Sequence, residues 1–77
     1  MRKSYSKNAV KVIEKLDKPT KQRIKASIEG LPDGDVKKLK GFDGLYRLRI
    51  GSWRIIFSFP NKDEILIEDI DPRGDAY

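Results

Sequence analysis

Between Ser6 and Leu31 the apolar residues recur at helical intervals. Ala9, Val10, Val12, Ile13 and Leu16 fall near i, i+3, i+4 and i+7, with lysine and glutamate between them, a spacing that predicts an amphipathic helix. Ser6 is placed to cap it. Asp17-Lys18-Pro19 stops that helix, and Pro19 then fits the first turn of a second one, where its missing N–H costs little. Ile24, Ile28 and Leu31 form the second stripe, with Ala26 and Ser27 alongside, and Gly30 and Pro32 end it. The pattern therefore predicts a helical hairpin with a very short connection. Arg2 to Tyr5 could form a short strand leading in.

Beyond Pro32 the period changes. Pro32-Asp33-Gly34-Asp35 is turn chemistry, and Lys37-Lys38-Leu39-Lys40-Gly41 reads as a basic loop with one apolar anchor. Leu45 to Ile50 alternates apolar and charged residues, Trp53 to Phe59 is rich in aromatic and β-branched residues, and Glu64 to Ile70 makes a third strand. Pro60-Asn61-Lys62-Asp63 separates the last two. The expected architecture is α+β: an N-terminal helical hairpin packed on a small antiparallel β-sheet, with three antiparallel strands inside Leu45–Ile70 and a single domain over residues 1–77.

Gly51-Ser52 is a hairpin loop of the Gly-X kind, which sets the register of its strands. Ile50 should pair with Trp53, Arg49 with Arg54 and Leu48 with Ile55. Alternation then puts Arg47, Arg49 and Arg54 on one face, and Tyr46, Leu48, Ile50, Trp53, Ile55 and Phe57 on the other, toward the helices. Like charges directly opposed in a sheet are unfavourable by up to roughly 1 kcal/mol. Arginines converging without a carboxylate among them point to an anion, and guanidinium matches phosphate with paired donors. The alternative is that they reach solvent or the acidic Glu64 and Glu68. Lys37, Lys38 and Lys40 would extend the positive surface and steer a polyanion, or would simply be solvated.

Composition narrows the chemistry. Across 77 residues, 17 Lys+Arg stand against 12 Asp+Glu, a formal charge of +5, so an acidic partner is expected. There is no cysteine and no histidine, which removes disulfides, the usual zinc ligands and the usual general base. No cofactor and no metal is expected. No apolar run approaches the ~20 residues of a membrane span, and Met1-Arg2-Lys3-Ser4-Tyr5 is not followed by the apolar stretch of a secretory signal. A cytoplasmic protein is expected.

Taken in order, the helical hairpin, Lys37-Lys38-Leu39-Lys40-Gly41, Leu45-Tyr46-Arg47-Leu48-Arg49-Ile50-Gly51, Trp53-Arg54-Ile55-Ile56-Phe57 and Ile70-Asp71-Pro72-Arg73-Gly74-Asp75-Ala76-Tyr77 resemble the RelE branch of the RelE/ParE toxins of type II toxin–antitoxin systems. That resemblance implies a toxin that enters the ribosomal A site and cuts messenger RNA without a metal. The ribose 2′-oxygen attacks the adjacent phosphate, and a cognate antitoxin wraps and blocks the toxin. The matching positions are Arg49, Arg54, Arg73 and Tyr77 for catalysis and Arg47 for holding the phosphate, with Lys37, Lys38 and Lys40 as further RNA contacts. Tyr77 would stack on a base or act near the 2′-hydroxyl, and Arg73 would stabilise the leaving 5′-oxygen. Tyr46 and Trp53 are expected in the core rather than as base platforms.

Two departures bear on mechanism. The family commonly has lysine where this chain has Arg47 and Arg49, and arginine is effectively never deprotonated. The general base would then be Tyr77, which is favoured, a carboxylate such as Asp71 or Asp75, or a group of the ribosome. The sequence also ends at Tyr77, with no room in it for the family's last helix. Two rival functions share the pattern: ParE-like inhibition of DNA gyrase, and RNA or ribosome binding without turnover.

Overall fold

The computed structural model describes residues 2–72. In chain order it comprises β1 (Arg2–Tyr5), α1 (Lys7–Glu14), α2 (Lys18–Glu29), β2 (Val36–Lys38), β3 (Tyr46–Ile50), β4 (Trp53–Asn61) and β5 (Glu64–Asp71). Both helices start as expected. The Ser6 hydroxyl accepts the Ala9 N–H at 3.1 Å, and Asp17 accepts the Thr20 N–H at 3.2 Å, so one orphan donor at each helix N-terminus finds a side-chain oxygen. Hydrogen bonding from the Thr20 side chain and from its N–H holds the Asp17 carboxyl below its usual pKa. Pro19 lies in the first turn of α2. Ile24 and Ile28 of α2 are fully buried, and Ala9 is the buried residue of α1, with Val12, Ile13 and Leu16 packed beside it.

The strands form one sheet in the order β1-β5-β4-β3-β2. The strands β3, β4 and β5 pair antiparallel, as the alternation predicted. The sheet is larger than expected and mixed: β1 joins parallel to β5, from Arg2↔Glu64 to Tyr5↔Ile67, and β2 joins antiparallel to β3. The expectation of a basic loop at 37–41 is corrected in part, since Lys37 and Lys38 belong to β2. A strand of Val36-Lys37-Lys38 has too few residues to show alternation. It exists because β3 offers Leu48, Arg47 and Tyr46 as partners, a tertiary override of a weak local preference. The expected turn at 60–63 is tighter too: β4 runs through Asn61, whose side chain accepts the Asp63 N–H at 2.9 Å.

The helices cover one face of the sheet. Leu48, Ile55, Phe57, Ile65, Ile67 and Ile70 meet Ile24, Ile28 and Leu31 there, with Tyr46, Ile50 and Trp53 at the margin. Tyr46 and Trp53 thus belong to the core.

Candidate functional site

The site follows from the β3–β4 turn. Gly51 has φ 58°, a left-handed value that a side chain disfavours, and this tight turn fixes Ile50↔Trp53, Arg49↔Arg54 and Leu48↔Ile55. The register is the one expected. Paired residues lie on the same side of a sheet, so Arg47, Arg49 and Arg54 face away from the helices.

The pairings continue onto β5. Arg49, Arg54 and Asp71 form one row across three strands, and Arg47, Ile56 and Asp69 form the next. Arg54 is 3% exposed, and its Nη2 lies 3.4 Å from Asp71 Oδ2. The cost of opposing Arg49 and Arg54 is therefore offset by a carboxylate placed directly across from Arg54 on its other side. Arg47 donates to the Asp35 carbonyl at 3.2 Å, with the Asp35 carboxylate at 3.6 Å. That same carbonyl accepts the Arg49 N–H at 3.1 Å, so one turn residue braces both arginines of β3. Among the described residues, Asp35 forms an ion pair with Arg47 and Asp71 with Arg54. Glu64 instead accepts the Ser4 hydroxyl and binds Arg2 at 2.8 Å at the β1 edge, which lowers its pKa, and Glu68 accepts the Ser58 hydroxyl at 2.8 Å.

This face is a cleft rather than a bare sheet. It encloses about 570 Å³ between Arg47, Arg49 and Arg54, the apolar Leu39, Phe42, Leu45 and Ile56, and the acidic Glu68 and Asp69, with Lys40 on its wall. Phe42 is 56% exposed, an aromatic ring presented to solvent beside the guanidinium groups. Such a combination suits a nucleotide, whose base takes apolar or stacking contacts while its phosphate takes charge-assisted hydrogen bonds.

The lysines separate. Lys37 pairs with Arg47 and shares its face, Lys40 lines the cleft, and Lys38 pairs with Tyr46 on the opposite side. Arg73 and Tyr77 lie outside the described residues, as does Asp75. The last described strand brings the chain to Asp71, beside Arg54. Among the described residues no group of three or more His, Cys, Asp or Glu side chains is placed to hold a metal.

Phe42 and Asp69 went unread as site residues, and Glu68 was read only as a partner for arginines. Phe42 lies in a loop between two glycines and obeys no period. The two acidic residues arrive through a β-bulge: Ile56 pairs with Asp69 but Phe57 pairs with Ile67, so Glu68 is an extra residue on β5. The signal was the spacing of Ile65, Ile67 and Ile70, two residues and then three.

A family model described as the ParE toxin of the type II toxin–antitoxin system parDE matches residues 4–77. Among solved structures, the RelB–RelE antitoxin–toxin complex of Methanococcus jannaschii contains a chain with 28% identity and a TM-score of 0.76, covering 96% of this chain and 94% of that one. The archaeal RelE–RelB complex of Pyrococcus horikoshii OT3 matches at 30% identity and TM-score 0.72, over 97% of each chain. The E. coli RelBE toxin–antitoxin complex shares the fold, with TM-score 0.74 at 17% identity over 90% of this chain and 92% of that one. No curated protein matches the sequence.

Proposed function

The chain belongs to the RelE/ParE superfamily of toxins from type II toxin–antitoxin systems, and we propose that it is an endoribonuclease cutting messenger RNA on the ribosome. The observation that carries this reading is the directly opposed Arg49 and Arg54 in a cleft that also has an apolar wall. Cleavage by the neighbouring 2′-oxygen passes through a phosphorane with extra negative charge. Cations fixed in advance around that charge lower the barrier without reorganising. Arg49 and Arg54 take that role, with Arg47 holding the phosphate at the edge. Arg73 stabilises the leaving 5′-oxygen, and Tyr77 stacks on a base next to the cut. Lys37 and Lys40 draw in the polyanion.

The partners proposed are the ribosomal A site, its messenger RNA and a cognate antitoxin, with action in the cytoplasm. No described helix is long and apolar enough to cross a membrane. The RelE chains of the archaeal and E. coli structures are solved with RelB. An acidic, amphipathic segment from an equivalent antitoxin would lay carboxylates over the arginine face and apolar residues against Phe42 and Leu39.

The matching family model is that of ParE toxins, which favours a second reading, inhibition of DNA gyrase. A gyrase inhibitor has no use for a convergent phosphate cradle. Purified chain on translating ribosomes is expected to give codon-positioned cuts. Intact message together with trapped gyrase–DNA breaks would replace the first reading with the second.

A further inference from the structure

A reaction that begins with a ribose hydroxyl needs a group to take its proton, and the arginines cannot do so. We propose that Glu68, held at the β5 bulge by Ser58, is that proton acceptor; the assignment rests on the endoribonuclease reading.

Three placements support it. Glu68 lines the same cleft as Arg47, Arg49 and Arg54. Its backbone is fixed: as the extra residue of the bulge it sits outside the ladder, and its carbonyl accepts the Ser6 hydroxyl at 2.7 Å. Bulges re-aim side chains and recur beside active sites. Its side chain is fixed as well, with Oε2 accepting the Ser58 hydroxyl at 2.8 Å. A carboxylate bound through one oxygen keeps a second oxygen able to accept from a substrate hydroxyl.

The neighbouring carboxylates each tie parts of the fold together. Asp71 lies against the buried Arg54. Asp69 Oδ1 accepts from the Asn8 side chain and from the Ile70 N–H, so it closes the bulge onto α1.

In the proposed step Glu68 takes the proton of the 2′-hydroxyl as that oxygen bonds to phosphorus. The bond from phosphorus to the 5′-oxygen breaks, and the leaving oxygen takes a proton from solvent. The products are a 2′,3′-cyclic phosphate and a 5′-hydroxyl, and Glu68 returns its proton to water. Ser58 is a positioning residue that orients the carboxylate.

The test is single-turnover cleavage on programmed ribosomes by the whole chain, with ribosome affinity and melting temperature measured alongside. Glu68→Gln keeps the shape of the side chain and an oxygen for Ser58. It is expected to slow cleavage by about 10²-fold or more, the usual contribution of a general base, with affinity and melting temperature near wild type. Its remaining rate should rise about tenfold per pH unit between about pH 6.5 and 8, as hydroxide replaces the missing base, a slope the wild type lacks. Ser58→Ala should lose less rate and keep the wild-type pH profile. Cleavage by Glu68→Gln at the wild-type rate would overturn the assignment while leaving the endoribonuclease reading intact. So would a slower variant whose pH profile is unchanged. Absence of cleavage by the wild type would overturn that reading and the assignment with it.

Discussion

On the helix side of the sheet, Leu48, Ile55, Phe57, Ile65, Ile67 and Ile70 are each at most 3% exposed and bury nothing but hydrocarbon. One residue along the same strands, Arg47, Arg49, Arg54, Glu68 and Asp69 line a cleft of both charges. The first face gains stability in proportion to the area it removes from water. The second concentrates cations where repulsion and desolvation oppose them, and depends on Asp71 and Asp35 to make that tolerable. On the proposed function, chemistry belongs to the second face, so substitutions on the two sides should separate stability from activity.

The largest effect belongs to the core side. Phe57→Ala should cost about 3–5 kcal/mol, comparable to the whole stability of a small domain, and denaturant unfolding should show the chain largely unfolded. Retained cooperative unfolding would mean that the helix side is not where the stability resides.

Arg54 tests whether the two faces are truly separable, because it lies on the arginine face and is nevertheless buried. Removing it takes a cation from beside the Asp71 carboxylate, whose side chain is only 12% exposed. Arg54→Ala should therefore lose roughly 3 kcal/mol as well as cleavage. The double variant Arg54→Met with Asp71→Leu should recover much of the stability, visible as melting temperature, and none of the activity.

Arg49→Ala should sharpen the contrast. It relieves the opposition to Arg54, so the melting temperature should change little, while cleavage falls about 10²-fold through loss of one donor to the transition state. Equal losses in stability and rate would place Arg49 in the scaffold.

Smaller still are the lysines. Lys37→Ala and Lys40→Ala should each reduce the salt dependence of RNA or ribosome binding by about one unit of slope. Lys38→Ala, on the far face, should do less. At the β1 edge, the depressed Glu64 stabilises the fold above its unfolded pKa, and that contribution is lost as pH falls through the folded value. Glu64→Gln should therefore flatten the acid limb of the stability–pH curve.

Where sequence gave clear answers, the local rules were strict. Ser6 had the chemistry of a cap, Pro19 that of a first turn, and Gly51-Ser52 allowed one tight turn, so the helices and the Arg49–Arg54 pairing could be read directly. Strand β2 and the bulge at Glu68 could not, since both depend on a partner strand rather than on the segment itself. A strict alternation through 65–70 would have sent Asp69 into the core. The chain avoids that by inserting Glu68, and in doing so places two carboxylates on the arginine side.

The parallel pairing of β1 with β5 also has a consequence for how the molecule comes into being. Arg2 meets Glu64 across 62 positions of sequence, and β5 is the strand between β1 and β4. During synthesis the N-terminal strand emerges first and waits without a neighbour until Ile65, Ile67 and Ile70 have been made. Contacts so distant in sequence form slowly. The arginine row, which needs Asp71 as its third member, is assembled last, so a nascent chain paused before Glu64 carries neither a closed core nor a cleft. On the proposed function, a nascent chain therefore has no cutting site until β5 has been made.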